Sequence, residues 1–101
     1  MIYRLHCSRG NTIGVEEYIS YSEIDPTGAW RRYLEIRADG TVHRYNTVYV
    51  SDRFGELPDG VWTEAEAVKP EYGVNCAISK ELFESAWRSV HIIDERAKRG
   101  V

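Results

Sequence analysis

The sequence predicts an α+β domain, in which an antiparallel sheet of about four strands with a central hairpin carries one C-terminal amphipathic helix on one face. Three observations predict it. Segments that alternate apolar and polar residues, as half-buried strands do, recur through the first half of the chain. An Asp-Gly pair separates two of these segments. Apolar residues at helical spacing follow Ser79.

The central hairpin is predicted over residues 30–50, with Asp39-Gly40 as its turn. A two-residue turn needs positive φ at both central positions, and glycine adopts that conformation without strain. Such a turn fixes the register and separates an apolar core face from a charged face. The predicted cross-strand pairs are Ala38 with Thr41, Ile36 with His43 and Leu34 with Tyr45 on the core face, and Glu35 with Arg44 on the charged face.

Two further strands are predicted before the hairpin. Alternation places them over residues 2–7 and 15–24. Residues 25–28 are expected to turn, because Pro26 presets φ and Gly28 supplies conformational freedom after it. The segments expected to lack regular structure are 51–60 and 71–77.

Two helices are predicted in the second half of the chain. Thr63 is expected to cap a short helix that stops before Pro70. Ser79 is expected to cap a longer helix that runs from Lys80 to about Arg96. The stripe predicted to be buried on the long helix consists of Leu82, Phe83, Ala86, Trp87, Val90 and Ile93.

Composition indicates a soluble, cytoplasmic protein. The chain carries 13 Lys and Arg against 16 Asp and Glu, a formal net charge of -3, which argues against general nucleic-acid binding. No segment is apolar enough to span a membrane, so no membrane association is expected. Cys7 and Cys76 are expected to be free thiols in a reducing compartment. Residues 1–101 are expected to form one domain with a frayed tail at 94–101.

Signals for catalysis are weak. The sequence contains no nucleophile elbow and no glycine-rich phosphate loop. His43 could serve as the general base of a small hydrolase, but a histidine on a core face is more often a packing residue. The soft metal ligands His6, Cys7, His43, Cys76 and His91 lack ligand spacing. We therefore expect no catalytic residue, no metal and no cofactor, and favour a binding protein over an enzyme.

Arginines interleaved with aromatic residues give the stronger signal. Guanidinium groups bind phosphate and aromatic rings stack on bases, so the pattern favours a small phosphorylated, nucleotide-like ligand. The candidate ligand-binding residues are Arg31, Arg32, Tyr33, Arg44, Tyr45, Arg53, Phe54 and Trp62. The alternative is that Arg32, which projects among apolar neighbours, pairs with Glu17 or Glu23, while Arg31, Arg37 and Arg44 form a solvated face.

The same residue types also suit a protein partner. Tyr, Trp and Arg are enriched at interfaces, and an acidic domain can mask a basic partner, as toxin-neutralising immunity proteins and phage inhibitors do. The loop at 51–77, with Trp62 and Tyr72 as anchors, would supply that surface. Small-ligand and protein partners therefore both stay open, as does a homo-oligomer.

Several blocks along the chain match a known pattern. They are Tyr21-Ser22-Glu23-Ile24-Asp25, Arg32-Tyr33-Leu34-Glu35-Ile36, Ala38-Asp39-Gly40, Phe54-Gly55-Glu56-Leu57-Pro58, Pro70-Glu71-Tyr72 and Ile78-Ser79-Lys80-Glu81-Leu82-Phe83 with Trp87. Together they resemble a family of short bacterial and phage-associated domains whose function is unknown. The resemblance implies an α+β domain without assigned catalytic residues, and an anti-defence setting in which a signalling nucleotide would be sequestered in phage–host conflict. Asp59-Gly60-Val61-Trp62 departs from the pattern, which leaves the role of that loop open.

Overall fold

An antiparallel sheet and a C-terminal helix make up an α+β fold. The computed structural model describes residues 1–8, 17–69 and 73–99, with side chains as far as residue 89. The elements are β1 (Ile2–Ser8), β2 (Tyr18–Ile24), β3 (Trp30–Arg37), β4 (Val42–Asn46), β5 (Ser51–Asp52), β6 (Gly55–Glu56), α1 (Glu64–Ala67), β7 (Val74–Ala77) and α2 (Lys80–Arg99). The predicted fraying at 94–101 stays a prediction.

The main sheet has the strand order β4-β3-β2-β1-β7 within the described residues, five strands where the sequence predicted about four. The additional strand is β7, which pairs with β1 in a segment predicted to be irregular. That prediction is wrong for Val74–Ala77, and the same prediction for residues 51–60 is wrong for β5 and β6, which pair with each other. Gly73 leads into the strand with φ +102, and a Cβ there would overlap the carbonyl oxygen of Cys7. The strand therefore depends on a close backbone approach that leaves little trace in local sequence.

The register of the central hairpin differs from the prediction by one residue. Glu35 pairs with His43, and Leu34 pairs with Arg44. The cause is the loop, which has three residues: the amide of Arg37 donates to the carbonyl of Thr41 at 2.9 Å. Among the described residues no non-glycine has positive φ, which excludes the predicted turn. The predicted pairs of Glu35 with Arg44, Ile36 with His43, Leu34 with Tyr45 and Ala38 with Thr41 are all wrong.

A type I turn closed by a left-handed glycine forms this loop. The amide of Gly40 donates to the carbonyl of Arg37 at 2.9 Å, and Gly40 has φ +87. Asp39 favours the conformation, because its carboxylate accepts from the amide of Thr41 at 2.8 Å. Since side chains alternate along a strand, the one-residue shift moves every β4 side chain to the other face of β3.

The sheet therefore has two faces that differ from the predicted ones. The helix face, which α2 covers in part, carries Tyr3, Leu5, Ile19, Tyr21, Glu23, Arg32, Leu34, Ile36, Val42 and Arg44. The loop face carries Arg4, His6, Ser20, Ser22, Tyr33, Glu35, His43 and Tyr45. His43 and Tyr45 thus lie opposite the face that holds Leu34.

Packing of α2 follows only part of the predicted stripe. Phe83 is fully buried and its ring centre lies 5.4 Å from that of Tyr3, whereas Leu82 is 47% exposed. Trp87 is half-buried, and Val90 and Ile93 lie outside the described side chains. The buried hydrophobic residues among the described side chains are Ile24, Leu34, Tyr45 and Phe83.

Both predicted helix caps are confirmed. The hydroxyl of Ser79 accepts from the amide of Leu82 at 3.1 Å, and the hydroxyl of Thr63 accepts from the amide of Glu66 at 3.4 Å. These bonds satisfy amides that have no partner inside the first turn of a helix. Local sequence therefore sets where each helix begins.

Gly28 and Gly40 provide a matched test of the turns, since both have left-handed backbones, with φ +90 and +87. A Cβ on Gly28 would lie 2.7 Å from Cγ1 of Val61 and 2.9 Å from the carbonyl oxygen of Trp62. A Cβ on Gly40 would have no described atom within 4 Å. We expect Gly40→Ala to lower the free energy of unfolding by about 1–2 kcal/mol, the cost of a left-handed alanine. Gly28→Ala should lower the free energy of unfolding clearly more than Gly40→Ala, because its Cβ also meets Val61 and Trp62. Equal losses of unfolding free energy for the two variants in urea titrations would contradict the packing of Gly28 against these residues.

Candidate functional site

Arg32 is held by carboxylates on its own sheet and on the helix. Its Nε donates to Oε1 of Glu23 at 2.8 Å, and its Nη2 donates to Oε2 of Glu23 at 2.7 Å. Glu23 stands opposite Arg32 on β2. Nη1 donates to Glu84 of α2 at 3.3 Å, and Nη2 forms a short bond to the same carboxylate. The structure thus shows the predicted alternative with Glu23, and adds Glu84.

Two aromatic rings lie against this guanidinium, whose side chain is 21% exposed. The central carbon of Arg32 lies 4.7 Å from the ring centre of Phe83 and 5.2 Å from that of Trp87. Hydrogen bonds from Arg32 lower the pKa of Glu23 and the pKa of Glu84, and the bond to Glu23 raises the pKa of Arg32. Glu23 and Glu84 therefore supply the negative charge that the guanidinium of Arg32 requires.

Arg44 lies nearby and borders a cleft. Its guanidinium carbon is 4.8 Å from the ring centre of Trp87. The cleft has a volume of about 390 Å³ and is lined by Val42, His43, Arg44, Asn46, Tyr49, Asp52 and Trp87. His43 is buried, and the centre of its ring lies 5.7 Å from that of Phe54. Use of His43 in hydrolysis stays a prediction.

Tyr33 and Tyr45 lie on the loop face, away from Arg32 and Arg44. The hydroxyl of Tyr33 donates to Glu35 at 2.7 Å, and burial raises the pKa of this tyrosine. Tyr45 is buried, and its hydroxyl donates to Asp52 at 2.8 Å. Both hydroxyls are therefore engaged within the protein.

The remaining candidates are dispersed. Arg31 is exposed, and its Nη1 lies 4.0 Å from Oδ2 of Asp25. The guanidinium carbon of Arg53 lies 4.8 Å from the ring centre of Phe54, in the loop between β5 and β6.

Trp62 lies 5.4 Å from the guanidinium carbon of Arg4 and lines a separate pocket of about 260 Å³ with Trp30. Tyr72, the other predicted anchor of the loop at 51–77, lies outside the described residues. The eight candidates thus lie in several separate places. Two of them, Arg32 and Arg44, are brought together beside Trp87.

Residues 47–56, here named the exposed hairpin, form one surface, of which the sequence singled out Arg53, Phe54 and the loop from residue 51 onward but not residues 47–50. Every residue in this segment is exposed. Its large apolar side chains are Val48, Tyr49, Val50 and Phe54, which are 91%, 54%, 48% and 60% exposed. Sequence analysis assigned residues 47–50 to the second strand of the central hairpin, because the run is rich in β-branched and aromatic residues, but β4 ends at Asn46.

Polar side chains hold the backbone of the exposed hairpin. Oδ1 of Asp52 accepts from the amides of Phe54 at 2.8 Å and Gly55 at 3.1 Å, as well as from the hydroxyl of Tyr45. Burial would raise the pKa of Asp52, but these bonds outweigh it and lower that pKa. Oδ1 of Asn46 accepts from the amides of Val48 at 2.9 Å and Tyr49 at 2.7 Å. Asn and Asp followed by such turns are the signal that could have revealed the segment.

The described part of the chain was compared with the requirements of a metal site and of a membrane-spanning helix, and it meets neither. It contains no cluster of three or more His, Cys, Asp or Glu side chains that could hold a metal ion. Cys7 and Cys76 are free thiols. Within the same residues, no helix has both the length and the apolar character needed to cross a membrane. Comparison with protein-family models, curated proteins and solved structures found no match.

The contacts of Arg32 predict that it stabilises the fold. Arg32→Ala leaves Glu23, which is 8% exposed, without its bidentate partner. We expect the free energy of unfolding to fall by about 3 kcal/mol, as when one member of a buried ion pair is removed. Arg31→Ala is the matched control, because an exposed pair contributes less than about 1 kcal/mol. Equal urea midpoints for the two variants would contradict a structural role for Arg32.

Acid should reduce the difference between the wild type and Arg32→Ala. In the wild type the pKa values of Glu23 and Glu84 lie below their ordinary value of 4.5. Their contribution is therefore complete above pH 4.5 and disappears as pH falls through the lowered values. A protonated glutamate needs no cation. The difference in unfolding free energy between the wild type and Arg32→Ala should therefore disappear as the pH falls through the lowered pKa values of Glu23 and Glu84. Urea titrations at several pH values measure this difference, and a difference that widens in acid would contradict this pairing.

Proposed function

We propose that this protein is a non-enzymatic binding protein that docks a partner protein through the exposed hairpin. The observation that supports the proposal is an ordered loop whose polar side chains hold the backbone while its large apolar side chains are exposed. Contiguous exposed apolar surface is uncommon on a monomer and is typical of interaction sites. The hydrogen bonds of Asn46 and Asp52 limit the entropy that the loop would lose on binding.

The chemistry of the hairpin indicates what its partner must offer. Val48 and Phe54 supply apolar anchors, which require a matching apolar pocket. Arg53 lies over the ring of Phe54, so the pocket should carry a carboxylate or another acceptor at its rim. The charge of Asp52 is directed inward to hydrogen bonds, so it opposes such a carboxylate weakly.

A protein partner accounts for the geometry better than the small-ligand hypothesis built on the eight candidate residues. Glu23 and Glu84 already satisfy the guanidinium of Arg32, which was the main argument for a bound anion. Sequestration of a signalling nucleotide by those eight residues stays a prediction. The resemblance to phage-associated domains supports an immunity-type or anti-defence setting for the docking protein, and no other observation bears on that setting.

A double variant of the hairpin tests the docking surface. Val48→Ser combined with Phe54→Ser removes apolar contact without touching the bonds of Asn46 or Asp52. A partner is first captured from host lysate by the wild type and purified, and its affinity is then measured by calorimetry. We expect the double variant to bind at least about tenfold more weakly, as for loss of interface anchors. Val68→Ser is the control, because Val68 is 50% exposed outside the hairpin.

The outcomes separate the occupants of the surface. Unchanged affinity of the double variant would overturn the docking proposal. A wild-type dimer in analytical ultracentrifugation that the double variant abolishes would assign the surface to a second copy of the chain instead, and would also overturn the proposal of a different partner.

Order in the hairpin is tested by Asp52→Ala, which keeps every apolar contact residue. Loss of its bonds to the amides of Phe54 and Gly55 should increase hydrogen exchange in the hairpin and weaken partner binding. Faster exchange with unchanged affinity would show that order in the loop does not contribute to binding.

A further inference from the structure

A pocket of about 260 Å³ lies between the loop face of the sheet and α1. β3 contributes Trp30, the segment before α1 contributes Val61 and Trp62, and α1 contributes Glu66 and Ala67. The pocket is smaller than the about 300–1,000 Å³ of drug-sized ligand sites, so its occupant must be a small molecule. We infer that this pocket, here named the indole pocket, binds a small quaternary ammonium compound of the size and chemistry of choline.

Two indole rings line the pocket, and the fold holds both of the residues that carry them. Nε1 of Trp30 donates to the hydroxyl of Ser22 at 3.2 Å, and the amide of Trp62 donates to the carbonyl of Gly28 at 2.8 Å. The face of an indole ring carries negative charge density and attracts a cation more strongly than other aromatic side chains do. Because the walls are held before a ligand arrives, less entropy is lost on binding.

Trp62 already contacts one cation within the protein, the guanidinium of Arg4. The central carbon of that guanidinium lies 5.4 Å from the ring centre of Trp62. Nε of Arg4 donates to Oδ1 of Asn75 at 2.6 Å, and its Nη1 lies 3.3 Å from Oε2 of Glu64. Arg4 is 7% exposed and is not part of the pocket lining. Glu64 compensates its charge, so Arg4 does not exclude a second cation from the pocket.

Glu66 supplies a negative charge to the wall of the pocket. The hydroxyl of Thr63 accepts from the amide of Glu66, which holds this residue in the first turn of α1. The described lining contains no lysine or arginine. Oε1 of Glu66 accepts from Nζ of Lys69 at 3.1 Å, in an exposed pair of the kind that contributes little to stability. A carboxylate has a second oxygen, so Glu66 can attract a bound cation while it keeps Lys69.

The apolar walls select a methylated ammonium group over a primary one. A primary ammonium group is strongly hydrated and carries three N–H donors, each of which requires an acceptor. A quaternary ammonium group has no N–H donor, and its methyl groups can contact Val61, Ala67 and the two indole rings. Its charge then needs only the ring faces and the nearby carboxylate, which attract it without directed hydrogen bonds.

Titration with choline, followed by NMR of the indole N–H groups, tests the site. The chain has three tryptophans, and Trp87 lies on the helix face, outside the pocket. We expect choline to shift the resonances of Trp30 and Trp62 and to leave that of Trp87 in place. The dimethylbutanol in which a tert-butyl group replaces trimethylammonium should bind at least about fivefold more weakly, since it lacks the charge that the rings attract. Ethanolamine, which keeps the charge without the methyl groups, should also bind more weakly.

Opposite charges at one position test the electrostatic part of the inference. Val61 lines the pocket and is 72% exposed, so Val61→Glu and Val61→Lys cause a similar loss of apolar contact but opposite electrostatic effects. Val61→Glu should strengthen choline binding and Val61→Lys should weaken it. Glu66→Gln should weaken it by about fivefold, as for loss of one charge contact. Glu81→Gln is the control, because Glu81 is exposed on α2 and does not line the pocket.

Four results would overturn the site. They are the absence of shifts at Trp30 and Trp62 with choline at tens of millimolar, equal effects of the two Val61 variants, unchanged binding in Glu66→Gln, and binding of dimethylbutanol or ethanolamine as tight as that of choline. The melting temperature of each variant is measured first, and Glu66→Gln should keep that of the wild type because its side chain is exposed. Neither the pocket nor this test involves the exposed hairpin, so the result is independent of partner docking.

Discussion

The guanidinium of Arg32 joins the sheet to the helix, and the packing of the helix face depends on it. Glu23 approaches from the neighbouring strand and Glu84 from α2, while Phe83 and Trp87 cover the guanidinium plane. A charge in this half-buried position would be costly alone, and it is tolerated because carboxylates and aromatic rings replace the water that it loses. The interaction holds Phe83 against the sheet, where it contributes one of the fully buried side chains.

The turn between β3 and β4 decides which functional groups can meet. A left-handed Gly40 after a type I turn shifts the register by one residue relative to a two-residue loop. Arg44 consequently lies on the helix face beside Trp87, and Tyr45 lies on the loop face, where its hydroxyl reaches Asp52. The cleft and the exposed hairpin are therefore adjacent because one strand supplies residues to both.

The exposed hairpin and the neighbouring cleft differ in their physical properties. The hairpin exposes apolar side chains on an ordered backbone, a combination that favours a protein partner. The cleft is lined by Arg44 together with polar and aromatic side chains. Asp52 stabilises the first surface and lines the second, so the two surfaces share a residue.

Local sequence determined where most elements begin and end. Thr63 and Ser79 cap helices through bonds that span three residues, and Gly28 and Gly40 mark turns that only glycine accommodates without strain. The alternation of residues 2–7 likewise matches β1, in which Tyr3 and Leu5 lie on one face of the sheet and Arg4 and His6 on the other. These features depend on residues close in the chain, so their signals are readable without a fold.

Tertiary structure decided the rest. The φ angle of Asp39 sets the register, and neither the Asp-Gly pair nor strand propensity fixes that angle. Strand β7 exists only through its pairing with β1. Glu84 meets Arg32 across 52 residues, so sequence analysis named Glu23 among the partners but could not find the second carboxylate. Whether an arginine can bind a ligand or instead supports the fold depends on whether the folded chain itself supplies the anion. Long-range packing determines that.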